Sequence, residues 1–188
     1  QQPRPAPRGE GFRVETAHSG AGSGIVDDLS PAWRSALGSA TSALADHGSV
    51  LMVGEAGSGR ATVLARALRA SRPRGRILSA GAPAARDVEA WLDLWTPELP
   101  KPDTAVVIRD VDRLPARAAD TLAELLRRAG AGVPVTVTAS NYDDVPHALA
   151  GLLRTVVELP ALRHRPDDIG PLALHLAGRV RGRAVTLT

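Results

Sequence analysis

Gly54, Gly57 and Gly59 lie in the run Gly54-Glu55-Ala56-Gly57-Ser58-Gly59-Arg60-Ala61-Thr62, directly after the apolar stretch Val50-Leu51-Met52-Val53. A strand feeding a glycine loop that opens a helix is a phosphate cradle. Successive backbone N–H groups and the positive end of the helix converge on the anion. The glycines allow the tight turn and the close approach. The two chemically demanding positions are altered. Arg60 stands where such loops place Lys, and Ala61 stands where a Ser or Thr hydroxyl would hold magnesium. Arg60 keeps the positive charge, but its planar fork is not a like-for-like replacement. Thr62 lies about 100° further round the helix and does not stand in for Ala61.

The second half of such a site is an acid at the end of a neighbouring strand, one carboxylate for the metal and one for water. Here the apolar run Thr104-Ala105-Val106-Val107-Ile108 ends in Arg109-Asp110-Val111-Asp112. A cation, Arg109, follows the strand where the metal carboxylate belongs, and Asp110 is left as the candidate acid. Each lost charge-assisted contact costs about 1.5–3 kcal/mol, so two weaken binding by about 10²–10⁴-fold. Arg60 and Arg109 can recover part of that by pairing with phosphate directly. Binding of ATP or ADP therefore stays open, while magnesium and efficient hydrolysis are argued against.

The elements that must position these residues alternate. Ser30-Pro31 opens a helix with an N-cap and a first-turn proline. Trp33, Leu37, Ala40 and Leu44 share one face of it, and Gly48 follows its end. A strand at 49–53, a helix at 60–70 and a short strand at 76–78 come next. Helices at 84–95, 116–129 and 145–153 alternate with strands at 104–108, 133–138 and 155–159, and a last helix runs from about 166 to 178. Trp91 and Trp95 are one turn apart and read as core. The alternation predicts an α/β three-layer sandwich with a mainly parallel five-stranded sheet. The continuous apolar run at 104–108 suits a strand buried on both faces.

Composition sets the bounds. The chain has 188 residues, 44% of them hydrophobic and only 3% aromatic, with a net charge of +3. Few rings argue against stacking on single-stranded nucleic acid. Of 23 basic residues only Lys101 is lysine, a bias that together with Ala, Gly and Pro richness reads as a GC-rich coding background. There is no cysteine, so disulfides and thiolate metal sites are excluded. His18, His47, His147, His164 and His175 are scattered without ligand spacing. No run of about 18 apolar residues offers a membrane span, and no signal core opens the chain, so a cytoplasmic location is expected. Residues 1–24, rich in Pro, Arg, Gly and Ser, read as a flexible linker.

From about Gly24 to Val180 the sequence resembles the central AAA+ domain of bacterial enhancer-binding, sigma-54-dependent transcription activators. Ser30-Pro31-Ala32-Trp33 is similar to the family's opening SPA helix, and residues 54–60 to its GESGTGK loop. Asp112-Arg113-Leu114-Pro115 looks like the segment behind its second acidic motif. Leu159-Pro160-Ala161-Leu162-Arg163-His164-Arg165-Pro166-Asp167-Asp168-Ile169 is very like its LPPLRERREDI, a long and specific match. Ala139-Ser140-Asn141 resembles its ATN sensor, which implies that Asn141 senses the terminal phosphate.

The departures from that pattern matter as much. Arg60 and Arg109 leave both Walker motifs degenerate, whereas Ala61 counts for less because the family often has Glu there. The GAFTGA loop that engages the sigma factor is missing, and the interval from Ile77 to Ala105 is too short to hold it. Of the trans-acting arginines only Arg154 remains, in an uncertain register. The resemblance implies an α/β domain over 25–165 and the start of a helical lid over 166–188. It also implies self-association, and DNA contact through a C-terminal helix-turn-helix outside this chain. The reading that follows is a regulatory AAA+-like domain with impaired hydrolysis and no sigma-54 contact, used for oligomerisation or signal relay. An active ATPase that tolerates Arg60 and a nucleotide-free scaffold are the alternatives. In the scaffold an Arg109–Asp110 or Arg60–Asp112 pair would fill the pocket.

Overall fold

The computed structural model describes residues 12–16, 29–46 and 48–185, with side chains described to residue 178. Most of the expected linker, His18 and His47 lie outside the described residues. The strands are β1 (Arg13–Glu15), β2 (Val50–Val53), β3 (Arg76–Gly81), β4 (Thr104–Arg109), β5 (Val135–Ala139) and β6 (Thr155–Glu158). The helices are α1 (Pro31–Ala45), α2 (Arg60–Ser71), α3 (Val88–Trp95), α4 (Ala116–Ala129), α5 (His147–Ala150) and α6 (Ile169–Val185).

All six strands form one sheet in the order β1-β3-β4-β5-β2-β6. Strands β3, β4, β5, β2 and β6 run parallel, in the registers Arg76↔Thr104, Val106↔Val135, Val50↔Thr136 and Val50↔Thr155. The five-stranded parallel sheet is thus present with a sixth strand added. β1 pairs antiparallel with β3, Val14 opposite Leu78. It falls inside the segment read from sequence as linker. The segment is polar and proline-rich overall, but Phe12 docks edge-on against Trp95, ring centroids 5.2 Å apart. One aromatic contact and three ladder residues leave almost no signal in composition.

β2, β3, β4 and β5 are buried on both faces, as their apolar runs require, whereas the edge strand β6 buries Val157 and exposes Val156. One core lies on the side of α3, α4 and α5 and contains Trp91, Trp95, Leu122 and Leu149. The other lies on the side of α1 and α2 and contains Trp33, Leu64, Leu68 and, from α6, Leu172. The element boundaries depart from the sequence reading where proline or glycine intervenes. Within the helix expected at 145–153 only the four-residue α5, between Pro146 and Gly151, is α-helical, and a 3₁₀ turn, Tyr142–Asp144, precedes it. The helix expected at 84–95 begins as a 3₁₀ turn, Ala85–Asp87. β3 runs three residues beyond the expected 76–78, and α6 runs past the expected 178.

β2 lies between β5 and β6, with sequence-distant strands on both sides. The loop after β2 therefore emerges at a topological switch point, where open α/β sheets form a crevice beyond the carboxyl ends of their strands.

Candidate functional site

The glycine loop occupies that crevice. Gly54 follows β2 and donates its N–H to Ala139 O at 3.1 Å. Gly57 and Gly59 have φ of +80° and +97°, the left-handed region that favours glycine. Gly59 caps α2 at its N-terminus, and the first turn of a helix leaves N–H groups without intrahelical acceptors. A Cβ on Gly59 would lie 2.8 Å from Cζ3 of Trp33, so the loop is seated on the indole. At Gly57 the same position is open space.

A cavity of about 350 Å³ opens beside this loop. Gly57, Gly59, Arg60, Ala61 and Thr62 line it from the loop and α2, and Arg109, Asp110 and Thr138 from the ends of β4 and β5. Leu162, and Ile169, Leu172, Ala173 and Leu176 from α6, line it with an apolar wall. Of the residues singled out from sequence, the structure brings Gly57, Gly59, Arg60, Ala61, Thr62 and Asp110 to this one cavity. Gly54, Glu55, Ala56, Ser58 and Asn141 are not among its lining residues. Glu55 points outward to Arg163, whose hydrogen bond holds the carboxyl below its usual range. Asn141 is exposed and accepts from Asp143 N–H at 3.2 Å, capping a 3₁₀ turn. Thr62 brings a hydroxyl-bearing residue to the cavity, one position from where a P-loop uses it.

Arg60 is only 6% exposed, and its Nη2 meets Asp110 Oδ1 at 3.0 Å. This is the loop cation paired with the candidate acid, not either of the pairings expected from sequence. Asp112 instead accepts from Ser140 N–H at 3.3 Å. Asp110 is held in the left-handed region at φ +57°, which Asp tolerates better than most residues. Its N–H donates to Thr138 Oγ1 at 2.9 Å. Among the described residues Arg60 Nη1 and Ser58 Oγ are buried without a hydrogen-bond partner.

These features fit a phosphate-bearing ligand and offer magnesium few oxygen ligands. The loop and the α2 N-terminus open on one cavity, which Arg60 also lines. For a metal, the Ala61 side chain offers no oxygen, and Asp110, the one carboxylate lining the cavity among the described residues, gives one of its oxygens to Arg60. Among the described residues no group of three or more His, Cys, Asp or Glu is placed to hold a metal ion.

Residues to which the sequence reading gives no role tie the loop to the chain just before α6. Arg165 is 3% exposed and lies over the Trp33 ring, 5.8 Å from its centroid. It donates from Nε to Pro160 O at 2.9 Å, from Nη1 to Asp168 Oδ2 at 2.8 Å and from Nη2 to Ser58 O at 2.6 Å. Asp168, 1% exposed, also accepts from Ser30 N–H at 2.8 Å and Ser30 Oγ at 2.6 Å. Burial pushes the Asp168 carboxyl up, but the Ser30 and Arg165 bonds outweigh it and hold the group below its usual range. The signal was in the chain: two opposite charges three residues apart inside the long 159–169 match, with nothing in the sequence to say that they are buried.

Fold and site define the class: the chain has the AAA+ P-loop fold. NtrX from Brucella abortus, solved in complex with ADP, superposes with a TM-score of 0.60 at 15% identity over 78% of this chain and 40% of that one. Trip13 of Rhizobiales superposes with a TM-score of 0.54 at 14% identity over 80% of this chain and 69% of that one. No family model matches the sequence. By sequence, the chain is 30% identical over 139 residues to MimR, the propane 2-monooxygenase operon transcriptional activator of Mycolicibacterium goodii. That match takes in 72% of this chain and 24% of MimR, so the chain spans about a quarter of its relative. Among the described residues no helix is long and apolar enough to cross a membrane.

Proposed function

We propose that this chain is a regulatory AAA+-like domain of a cytoplasmic bacterial transcription regulator. It binds a nucleotide at the glycine loop, hydrolyses it poorly and serves oligomerisation or signal relay. The observation that carries the reading is the 3.0 Å ion pair between Arg60 and Asp110. The loop cation and the strand-end acid neutralise each other, so neither is free to activate water or stabilise a leaving phosphate. The intact glycine geometry and the cavity beside it support binding. The likeness to MimR supports the regulatory role, and the ADP bound to NtrX supports the ligand class. Self-association, and DNA contact through a helix-turn-helix outside this chain, belong to the same proposal. Contact with sigma-54 does not, because the loop for it is missing between Ile77 and Ala105.

The test combines nucleotide titration with a phosphate-release assay. The proposal expects a thermal shift with ATP or ADP and phosphate release at background with magnesium. Release well above background, abolished by Arg60→Ala, would establish an active ATPase instead. The same ion pair favours a second reading, a nucleotide-free scaffold whose pocket is held shut by its own side chains. No thermal shift at millimolar nucleotide would decide for that reading.

A further inference from the structure

We infer that the outer edge of β6 is a self-complementary docking surface, on which a second copy of this chain pairs antiparallel across a two-fold axis at Val156. The inference rests on the self-association in the proposed function and names the surface for it.

Three observations carry it. The first is an open strand edge. β6 ends the sheet and pairs with β2 alone among the described strands. Thr155 and Leu159 donate their N–H groups towards β2, to Ser49 O at 3.1 Å and to Val53 O at 2.8 Å. Main-chain groups alternate in direction along a strand, so those of Val156 and Glu158 turn to the outer edge. Pro160 has no N–H and ends the row.

The second is the order of the exposed side chains. Val157 and Leu159 belong to the core on the α1 side, whereas Val156 is 47% exposed and Glu158 is exposed. Arg154, just before the strand, is exposed as well. Among the described residues neither the Arg154 nor the Glu158 side chain has a partner. Four residues of extended chain, about 13 Å, keep the two charges apart. The edge therefore reads cation, valine, anion. Laid antiparallel on itself, that order becomes anion, valine, cation. With the dyad at Val156, valine meets valine and each Glu158 meets the Arg154 of the other copy. Opposite charges across a strand pair attract, and a long side chain also reaches its partner from a diagonal position. A dyad at Val157 sets Glu158 against valine, and a dyad at Glu158 sets two carboxylates face to face. The charges thus select one register.

The third is room. A groove of about 510 Å³ lies between this edge and α1, lined by Thr155–Glu158 and, from the helix, by Ala32, Ser35, Ala36 and Ser39. These four share one helix face, and none is larger than serine. A charge on an edge strand ordinarily wards off other strands. Here the pattern admits its own antiparallel copy and penalises mismatched edges. The contact is isologous, as a two-fold dimer requires.

The experiment is sedimentation equilibrium over a concentration series, for the wild type, Arg154→Glu, Glu158→Arg and the double exchange. Melting curves check that each variant folds. The expected result is a concentration-dependent wild-type dimer that weakens as salt is added. Each single exchange sets like charges opposite each other twice and weakens the dimer at least about tenfold. The double exchange is self-complementary again and restores it, and a mixture of the two single variants restores it as a heterodimer. A dimer indifferent to the single exchanges, or a double exchange as weak as either single one, overturns the inference and leaves self-association to another face. A monomer at every concentration overturns the self-association itself.

Discussion

Arg165 reaches back 107 residues in sequence to hold the main-chain carbonyl of Ser58 at 2.6 Å, so the turn that leads into α6 and the glycine loop are joined by a buried bond. Its second arm holds Asp168, which in turn caps the start of α1 through Ser30. A buried charge stripped of its partner costs far more than a surface pair yields. Arg165→Met leaves Asp168 buried and uncompensated and should lower unfolding free energy by about 3–5 kcal/mol. Removing both charges, Arg165→Met with Asp168→Leu, should restore much of that loss. Urea denaturation of the single and double variants measures both, and simple additivity of the two losses would contradict a coupled pair.

Asp168 also sets a pH dependence. Its carboxyl is held below the usual range in the folded chain, despite burial, by the bonds from Ser30 and Arg165. A depressed folded-state value means that the unfolded chain binds the proton more readily. The stabilisation is fully present above the unfolded value of about 3.9 and is lost as pH falls through the lower native value. Melting temperature followed downward from pH 6 should therefore fall more steeply for the wild type than for Asp168→Asn. Parallel curves would place the acid sensitivity elsewhere.

Ser30→Ala separates capping from packing. The Ser30 side chain accepts from Trp33 N–H at 3.4 Å while its hydroxyl donates to Asp168. Loss of an N-cap costs about 0.5–2 kcal/mol, and here the lost bond to a charged acceptor adds to it. A loss of about 2–3 kcal/mol is expected. The Asp168→Asn background should reduce the effect of Ser30→Ala. An equal effect in both backgrounds would mean that Ser30 acts only as a cap.

How much of this was legible in the sequence follows from what each feature depends on. The parallel sheet and the glycine loop depend on local pattern: apolar runs of strand length, and glycines at set spacing before a helix. These survive in one sequence. The Arg60–Asp110 pair depends on which of Asp110 and Asp112 turns inward, and that is set by the left-handed backbone at Asp110, which no spacing rule announces. Arg165 and Asp168 look like solvent charges, because burial of a matched pair leaves no hydrophobic signature. β1 lies in a proline-rich segment, and its pairing with β3 and the Phe12 contact with Trp95 are tertiary features that a local pattern does not announce.

The two left-handed glycines of the loop make a paired prediction. Both positions penalise any L side chain by about 1–2 kcal/mol through backbone strain. At Gly57 nothing else opposes a methyl group, so Gly57→Ala should cost about that much and no more. At Gly59 the new Cβ would lie 2.8 Å from the fully buried Trp33, in a core too dense to yield. Gly59→Ala should cost at least about 3 kcal/mol and shift the emission of Trp33. Equal costs at the two positions would show that the loop does not rest on the indole.

Phe12→Ala tests whether β1 belongs to the sheet in solution. β1 is three residues long and lies at the edge beside β3, too short to hold itself by ladder bonds. The Phe12 ring adds to its docking by packing on Trp95, which itself packs edge-on against Trp91 at 5.4 Å. A partly buried ring contributes less than the 3–5 kcal/mol of a fully buried one, and the aromatic pairing itself adds about 0.5–1.5 kcal/mol. The expected loss is about 1–2 kcal/mol, with faster amide hydrogen exchange confined to β3 and no change in β2, β5 or β6. Such a local signature would mean that the edge strand covers β3 without stabilising the loop end of the sheet. Unchanged exchange along β3 would mean that the strand is not held there by Phe12 at all.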